Sequence, residues 1–517
     1  MPSGDPELDP RRWLALAVSV SALFLTLLDV SIVTVALPSI GRGLGADASQ
    51  LQWVVSGYAL AFGMVPIIGG RLGDDRGRKP MLLIGIALFV VFSSLVGFAP
   101  NPTVIIVGRL LQGLAGGLLN PQVSGIVQQL FPPAERGKAF GAIGAAVGIA
   151  TAAGPVVGGA IIALGGPEFG WRLCFLVNVP VGILSLVLCA RLLPPTPARE
   201  STRPLDLTGV ALLSVAVFGL LFPAVEFDAA RELRWVFLVI PALAVLVGFL
   251  AWERGPAARR GYPLIDLGLF GIRSYAGGVL LAILFFSAYT GTPLVLALFL
   301  QDGLGFSALH SGLTASAYAV GVVLSAPVAG RLLPRLGQKV LIGALVLFGV
   351  GVAAAALVAA AAAGSVPSSI VALLMAPALL VAGLGGGGVI TPNQALSLAE
   401  VDVRGGSTAG GMLQTSQRIG NALGAAVLSA VFYASAARAP SGGAARQAGY
   451  GHAYAMALVV SVVFTVAALC VAIRGVRRSP GAPVTTSRGA SPRSAEPPTS
   501  RPSGPPERSG TPGRSVS

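Results

Sequence analysis

Fourteen apolar stretches, each long enough to cross a bilayer as a helix, leave this chain one class of fold. A span needs about twenty mainly apolar residues, because each adds about 1.5 Å to an α-helix and the hydrocarbon core is about 30 Å thick. The stretches run, to within several residues, over 13–36, 51–70, 81–99, 103–127, 138–163, 172–193, 207–225, 235–252, 275–298, 311–332, 340–363, 369–392, 407–433 and 454–473. Composition agrees: 54% of residues are hydrophobic and 11% charged, whereas soluble domains carry about a quarter charged residues. The 69 glycines and 38 prolines would be costly in soluble helices but are common in membrane spans, where neighbouring helices satisfy the freed backbone groups. The expected fold is all-α and integral to the membrane, with lipid as its solvent.

Lys and Arg favour cytoplasmic loops, which sets the orientation. With the N-terminus inside, the inner loops hold Arg71/Arg76/Arg78/Lys79, Arg136/Lys138, Arg191/Arg199/Arg203, Arg254/Arg259/Arg260 and Arg331/Arg335/Lys339. The outer loops hold only Arg42, Arg172, Arg231, Arg234, Arg438 and Arg446. One span too many or too few would invert every later loop, so the consistency supports an even count with both termini cytoplasmic. The formal charge of +14 is scattered over short loops and a tail instead of forming a patch, which excludes a nucleic-acid partner. The first stretch, preceded by Asp5, Glu7 and Asp9 and then Arg11 and Arg12, is too long for a signal-peptide core.

An internal repeat divides the chain. Gly70-Arg71-Leu72 is followed by Gly77-Arg78-Lys79, and Gly330-Arg331-Leu332 by Gly337-Gln338-Lys339, at the inner ends of the second and tenth stretches. Parallel repeats of this kind relate two halves about an axis along the membrane normal. The division is 1–12 as a cytoplasmic N-terminus, 13–193 as a six-helix half, 194–274 as two inserted helices with their loops, and 275–474 as a second six-helix half. The remaining 475–517, rich in Ser, Pro, Arg, Gly and Thr, has too little apolar surface to fold and is expected to be disordered.

Asp29 lies well inside the first stretch, where an ionisable residue marks an ion or substrate pathway by default. Apolar surroundings favour the neutral form of a carboxylic acid, as a proton-coupled carrier requires. Arg109 sits in the fourth stretch and needs an acidic or carbonyl partner. Counting rise per residue puts Asp29 about 12 Å and Arg109 about 9 Å from the outer ends of their helices, so the two can pair, with protonation of Asp29 releasing Arg109. The fifth stretch carries Gly154-Pro155 and Gly158-Gly159 after Gly141, Gly144 and Gly148, a pliable and closely packed hinge. In the thirteenth, Gln414, Arg418 and Asn421 share one helix face, assigned with Gln112 to a substrate cavity, while Gly420 and Gly424 form a small-residue contact on the reverse side. Hydrogen bonding between helices is an equal alternative for that stripe.

These segments together resemble the major facilitator superfamily, and within it the fourteen-span drug:proton antiporters of bacterial cell membranes. Leu28 to Pro38 is similar to that family's first-span motif, with Asp29 at its acidic position. Gly70-Arg71-Leu72-Gly73-Asp74-Asp75-Arg76-Gly77-Arg78-Lys79 is similar to the signature loop between spans two and three. Arg109 with Gln112-Gly113 resembles the fourth-span motif, and Gly154-Pro155 with Gly158-Gly159 the fifth-span antiporter motif. Similar too are Trp171 to Pro180 and Asp206 at the head of the seventh span. The resemblance implies a 6+2+6 architecture, alternating access, a monomer, and export of amphipathic small molecules in exchange for protons. It also implies a cytoplasmic gate at Asp74, for which the helix start at Gly405-Gly406-Ser407 is the candidate partner. Two positions depart from the pattern: Asp75 stands where the signature loop has arginine, and Ala150 fills a glycine place before Gly154.

No paired acids, His cluster or activated nucleophile falls within the stretches, which argues against an enzyme. His310 and His452 are not in metal-ligand spacing, and no metal or cofactor is implied. Cys174, Cys189 and Cys470 imply no disulfide framework. An uptake symporter of the same fold and a membrane receptor remain as alternatives to an exporter.

Overall fold

In the computed structural model, which describes residues 10–195, 206–230, 238–257, 259, 263–440 and 442–478, fifteen α-helices follow one another. The first seven are α1 (Arg12–Leu44), α2 (Ala48–Met64), α3 (Pro66–Arg76), α4 (Arg78–Gly97), α5 (Pro102–Leu130), α6 (Pro133–Leu176) and α7 (Asn178–Leu192). Two more, α8 (Leu207–Ala230) and α9 (Val239–Trp252), precede α10 (Arg273–Leu298), α11 (Ala308–Leu336), α12 (Gln338–Ala362), α13 (Ser368–Ser397), α14 (Gly406–Ala436) and α15 (Gly443–Arg478). Below, α1–α7 are called the first half, α8–α9 the inserted pair and α10–α15 the second half. The expected tail lies outside the described residues beyond Arg478, where α15 ends, as do residues 1–9.

Among the described residues ten helices are long and apolar enough to cross a membrane, and eleven if α2 and α3 count as one span bent by 45°. The bend falls at Val65–Pro66 because proline opens α3, lacks an N–H for the preceding turn and disfavours helix in the residue before it. The fifth expected stretch lies on the first limb of α6. That helix breaks at Gly166, whose φ of 76° only glycine adopts without strain, and residues 169–192 continue as the sixth span through the end of α6 and α7. The seventh and eighth stretches fall on α8 and α9; neither these nor the first limb of α6 is among the eleven, so the count of fourteen is approximate.

Small residues set the helix contacts, as they must where no hydrophobic drive separates helix from lipid. In the second half a methyl on Gly351 would strike Ala382, and one on Gly385 would strike the backbone of Phe348, so α12 and α13 touch almost backbone to backbone. Gly420 and Gly424 do the same for α14 against Ile283 and Ser287 of α10. Phe285, Phe348, Phe432 and Tyr454 fill the remaining volume of that half. A separate apolar cluster joins Leu60 of α2, Leu213 and Val217 of α8, Phe249 of α9 and Leu413 of α14.

The two repeated loops occupy corresponding places. Gly77 and Gly337 both have positive φ, 100° and 53°, which lets one helix end and the next begin without a linker. Gly70 lies against Ser407 and Thr408 of α14 in the opposite half, and Gly330 lies against Gly137 and Gly141 of α6 in the opposite half. The halves therefore meet along α3–α14 on one flank and α6–α11 on the other. Both contacts sit at the end of the bundle that carries Arg71, Arg78, Lys138 and Arg335, called here the basic end.

Candidate functional site

Asp29 and Arg109 meet. The Arg109 Nη1 donates to Asp29 Oδ2 at 2.5 Å, and the side chains are 1% and 0% exposed. Asp29 Oδ1 also accepts from Asn178 Nδ2 at 2.7 Å and Gln112 Nε2 at 3.2 Å. Arg109 Nε donates to the Val54 carbonyl at 3.0 Å and its Nη1 to Gln112 Oε1 at 2.9 Å. The guanidinium lies 4.2 Å from the centre of the Tyr58 ring. A buried ion pair persists when its remaining lone pairs and protons are also satisfied, and here α1, α2, α5 and α7 each contribute to that. Gln112 has no exposed surface, and its Nε2 also donates to Ser93 Oγ at 2.6 Å. It belongs to this cluster, whereas the sequence reading placed it on a cavity wall.

At the basic end, Asp74 fills the N-terminus of α14. The N–H groups of Ser407 and Thr408 donate to it at 3.1 and 2.7 Å, and the Thr408 hydroxyl at 2.8 Å. The first N–H groups of a helix have no partner within it and carry the positive end of the macrodipole, so a carboxylate from the opposite half suits them. Arg78 pairs with Asp74 at 3.1 Å, both side chains at most 5% exposed. It also donates to the Gly125 carbonyl at 2.7 Å, to Ser407 Oγ at 3.0 Å and to the Val403 carbonyl. Lys79 donates to the Leu193 carbonyl at 2.6 Å. Asp75, where the motif has arginine, pairs with Arg71 at 2.8 Å one turn back. Arg76 is exposed and takes no part in the buried pairing. Gly70 leaves room for the Ser407 backbone, and Gly125 for Arg78 and Ser407. The halves are thus closed at the basic end.

The glycines of α6 face two ways. Gly141, Gly144 and Gly148 lie against the second half at Gly330, Thr391 and Val323, whereas Gly154 and Gly158 lie against Ser31 and Ile32 of α1, close in sequence to Asp29. Pro155 is helical, and the break in α6 comes later, at Gly166. A methyl at Gly159 would meet open space, so that position adds no close packing. Ala150 is fully buried, its methyl accommodated where the motif has glycine.

Gln414, Arg418 and Asn421 are half-buried on α14. Asn421 Oδ1 accepts from Thr290 at 2.6 Å, a contact with α10, and Arg418 lies over the Phe62 ring of α2 at 4.5 Å. The stripe therefore divides: Asn421 bonds within its own half, and Arg418 faces the other.

The sequence model of the Major Facilitator Superfamily matches residues 20–425 and 279–506. The chain belongs to the major facilitator superfamily. It is 38% identical to a probable actinorhodin transporter of Streptomyces coelicolor, over 82% of this chain and 73% of that one. It is 31% identical to a tetracenomycin C resistance and export protein of Streptomyces glaucescens, over 81% and 75%. It is 33% identical to a puromycin resistance protein of Streptomyces alboniger, over 82% of each. Among solved structures, the human organic anion transporter TETRAN superposes with a TM-score of 0.62 at 16% identity, covering 88% of this chain and all of that one. The proton:xylose symporter XylE gives 0.60 at 16%, covering 89% and 96%. These two likenesses carry the fold alone.

Within this major facilitator fold, several site residues went unnoticed in the sequence. Asn178, inside the Trp171–Pro180 segment, opens α7 and donates to Asp29. Its signal was an amide two places before a proline inside an apolar span. Ser93, Tyr58 and Thr408 gave no such signal, being ordinary polar residues of helices. In the inserted pair, Asp206 accepts from Trp252 Nε1 at 2.7 Å, and Glu253 accepts from the amides of Leu264 and Ile265 at 3.3 and 3.1 Å. Burial raises the pKa of Glu253, the two amides lower it, and Asp206 raises it.

Proposed function

We propose that the chain is a proton-driven exporter of drug-like amphipathic compounds, working by alternating access as a monomer in the cytoplasmic membrane of a bacterium. Both termini face the cytoplasm in this reading, so the basic end is the cytoplasmic one, as the loop charges favour. The observation that carries it is the fully buried Asp29–Arg109 pair in the half that bears the Gly154-Pro155 motif. The names of the three bacterial relatives, a transporter of actinorhodin, a resistance and export protein for tetracenomycin C and a puromycin resistance protein, support drug-like cargo.

Protonation of Asp29 removes the charge that holds Arg109. The freed guanidinium keeps the Val54 carbonyl, Gln112 and the Tyr58 ring, a weaker set than one containing a carboxylate. The difference biases α1 and α5 toward a second arrangement, and because Gly154 and Gly158 press on Ser31 and Ile32, α6 moves with α1. Asp74 and Arg78 hold the closed state at the basic end, and parting them from α14 opens the cleft to the cytoplasm.

The test is transport by the purified chain in proteoliposomes under an imposed pH gradient. Aromatic amphipaths should move against their gradient in exchange for protons. Accumulation in the same direction as proton flow would make the chain a symporter and overturn the export reading.

A further inference from the structure

We infer that the cleft between the halves takes its cargo as an organic anion, an aromatic amphipath whose ionised carboxylate or acidic phenol rests on Arg418 beside Tyr58 and Gln414. The inference rests on the export reading and narrows it to one class of compound.

Arg418 sits about 18 Å along α14 from its first residue, at the depth of a membrane interior. It projects from the second half onto the first, with its guanidinium over Phe62 and its Cβ beside Gly63. Among the described residues no carboxylate pairs with it. The three buried acids of the first half, Asp29, Asp74 and Asp75, are already engaged, Asp75 by Arg71. Asp29 is surrounded by Arg109, Gln112 and Asn178, and Asp74 by Arg78, Ser407 and Thr408. Asp29 and Arg109 cancel, which leaves one uncompensated positive charge at this level. Ionisable groups within the membrane are costly unless paired or set in a watered cavity, and an aromatic face attracts a cation without neutralising it.

Two further polar atoms are unpartnered, one on Tyr58 and one on Gln414, a turn before Arg418 on the same face of α14. The Tyr58 hydroxyl and Gln414 Oε1 are buried without a hydrogen-bond partner, which is uncommon enough in folded proteins to demand a reason. The Tyr58 hydroxyl is in electrostatic reach of Arg418 as well as Arg109. It can donate to an anionic oxygen lying on Arg418, and Gln414 Oε1 can accept from a neighbouring hydroxyl of the same compound. The rings of Tyr58 and Phe62 stack with centres 5.9 Å apart. The same stack reaches from Arg418 through Phe62 and Tyr58 to Arg109, so the cargo charge and the proton pair lie on opposite sides of two rings.

The experiment uses the full chain in proteoliposomes and three matched sets of probes: the carboxylic acid, methyl ester and primary amine of pyrene, naphthoquinone and anthraquinone. Proton exchange should be fastest with the acids. In Arg418→Gln, exchange of the acids should fall by about tenfold to a hundredfold, the loss of one charge-assisted contact, and the acid-to-ester ratio should approach one. Arg418→Lys, which keeps the charge without the planar fork, should retain a preference for acids even if Arg418→Gln folds poorly. Amines or esters exchanged as fast as the acids would overturn the inference and leave export standing, as would an unchanged ratio in Arg418→Gln. Exchange with none of the probes would overturn both the export of aromatic amphipaths and this narrowing of it.

Discussion

Asp74 of the first half accepts the backbone N–H of Thr408, in the first turn of a helix of the second half, at 2.7 Å. With the Ser407 amide, the Thr408 hydroxyl and Arg78, it is a bolt made of one carboxylate across two halves that otherwise touch through small residues.

Asp74→Asn should draw that bolt. Asparagine keeps the shape but has one acceptor oxygen, cannot satisfy both amides, and leaves Arg78 without its charge partner. The closed state should lose about 3 kcal/mol, the cost of breaking a buried charged pair. Spin labels on Lys138 and Arg335, exposed residues on opposite halves of the basic end, should report a longer distance than in the unsubstituted protein. An unchanged distance would show that the closed state does not depend on Asp74.

Asp29→Asn should abolish proton-coupled efflux while leaving membrane insertion intact. The amide can still meet Asn178 and Gln112, so the helices keep their packing, but it cannot bind and release a proton. The measurement is substrate-driven proton movement in vesicles, with detergent-extracted yield as the control for folding. Full activity in this variant would remove Asp29 from the coupling step.

Asn178→Ala removes a 2.7 Å donor to the Asp29 carboxylate from the start of α7. Hydrogen bonds to charged groups contribute about 1.5–3 kcal/mol, so transport should fall by about tenfold or more. Ser93→Ala, which reaches the carboxylate only through Gln112, should cost less. Equal losses in the two would mean that Asn178 does not act directly on Asp29.

Gly154→Ala and Gly159→Ala form a matched pair on one helix. The first drives a methyl into Ser31, while the second places it in open space. Overpacking costs about 1–3 kcal/mol, so thermal stability and efflux should drop for Gly154→Ala and stay close to the parent for Gly159→Ala. The same resistance from both would separate the motif's action from its packing on α1.

The membrane fold was plain from apolar length, and the contact of Asp29 with Arg109 could be reckoned from rise per residue, because charges inside apolar stretches are few and must find each other. The start of α14 at Gly406 was similarly open to reading as a docking point for Asp74. Arg76 was read as part of the gate, yet it points outward while Arg78 enters, a difference of helix phase across the Gly77 turn that spacing alone does not give. Gln112, assigned from the sequence to the substrate cavity, is drawn inward only by the neighbouring positions of Asp29 and Ser93 in space. The bend at Pro66 was hidden because the apolar run continues through it, and the break at Gly166 because any glycine in a glycine-rich span reads alike.

The α8 helix rests on both α2 and α14, with Leu221 against Gly63. It therefore shutters the seam between the halves on that flank from the surrounding lipid. Among the described residues the opposite seam, where α6 meets α11 through bare glycines, has no such cover from the inserted pair. Compounds that first dissolve in the bilayer thus meet a transporter with a front and a back.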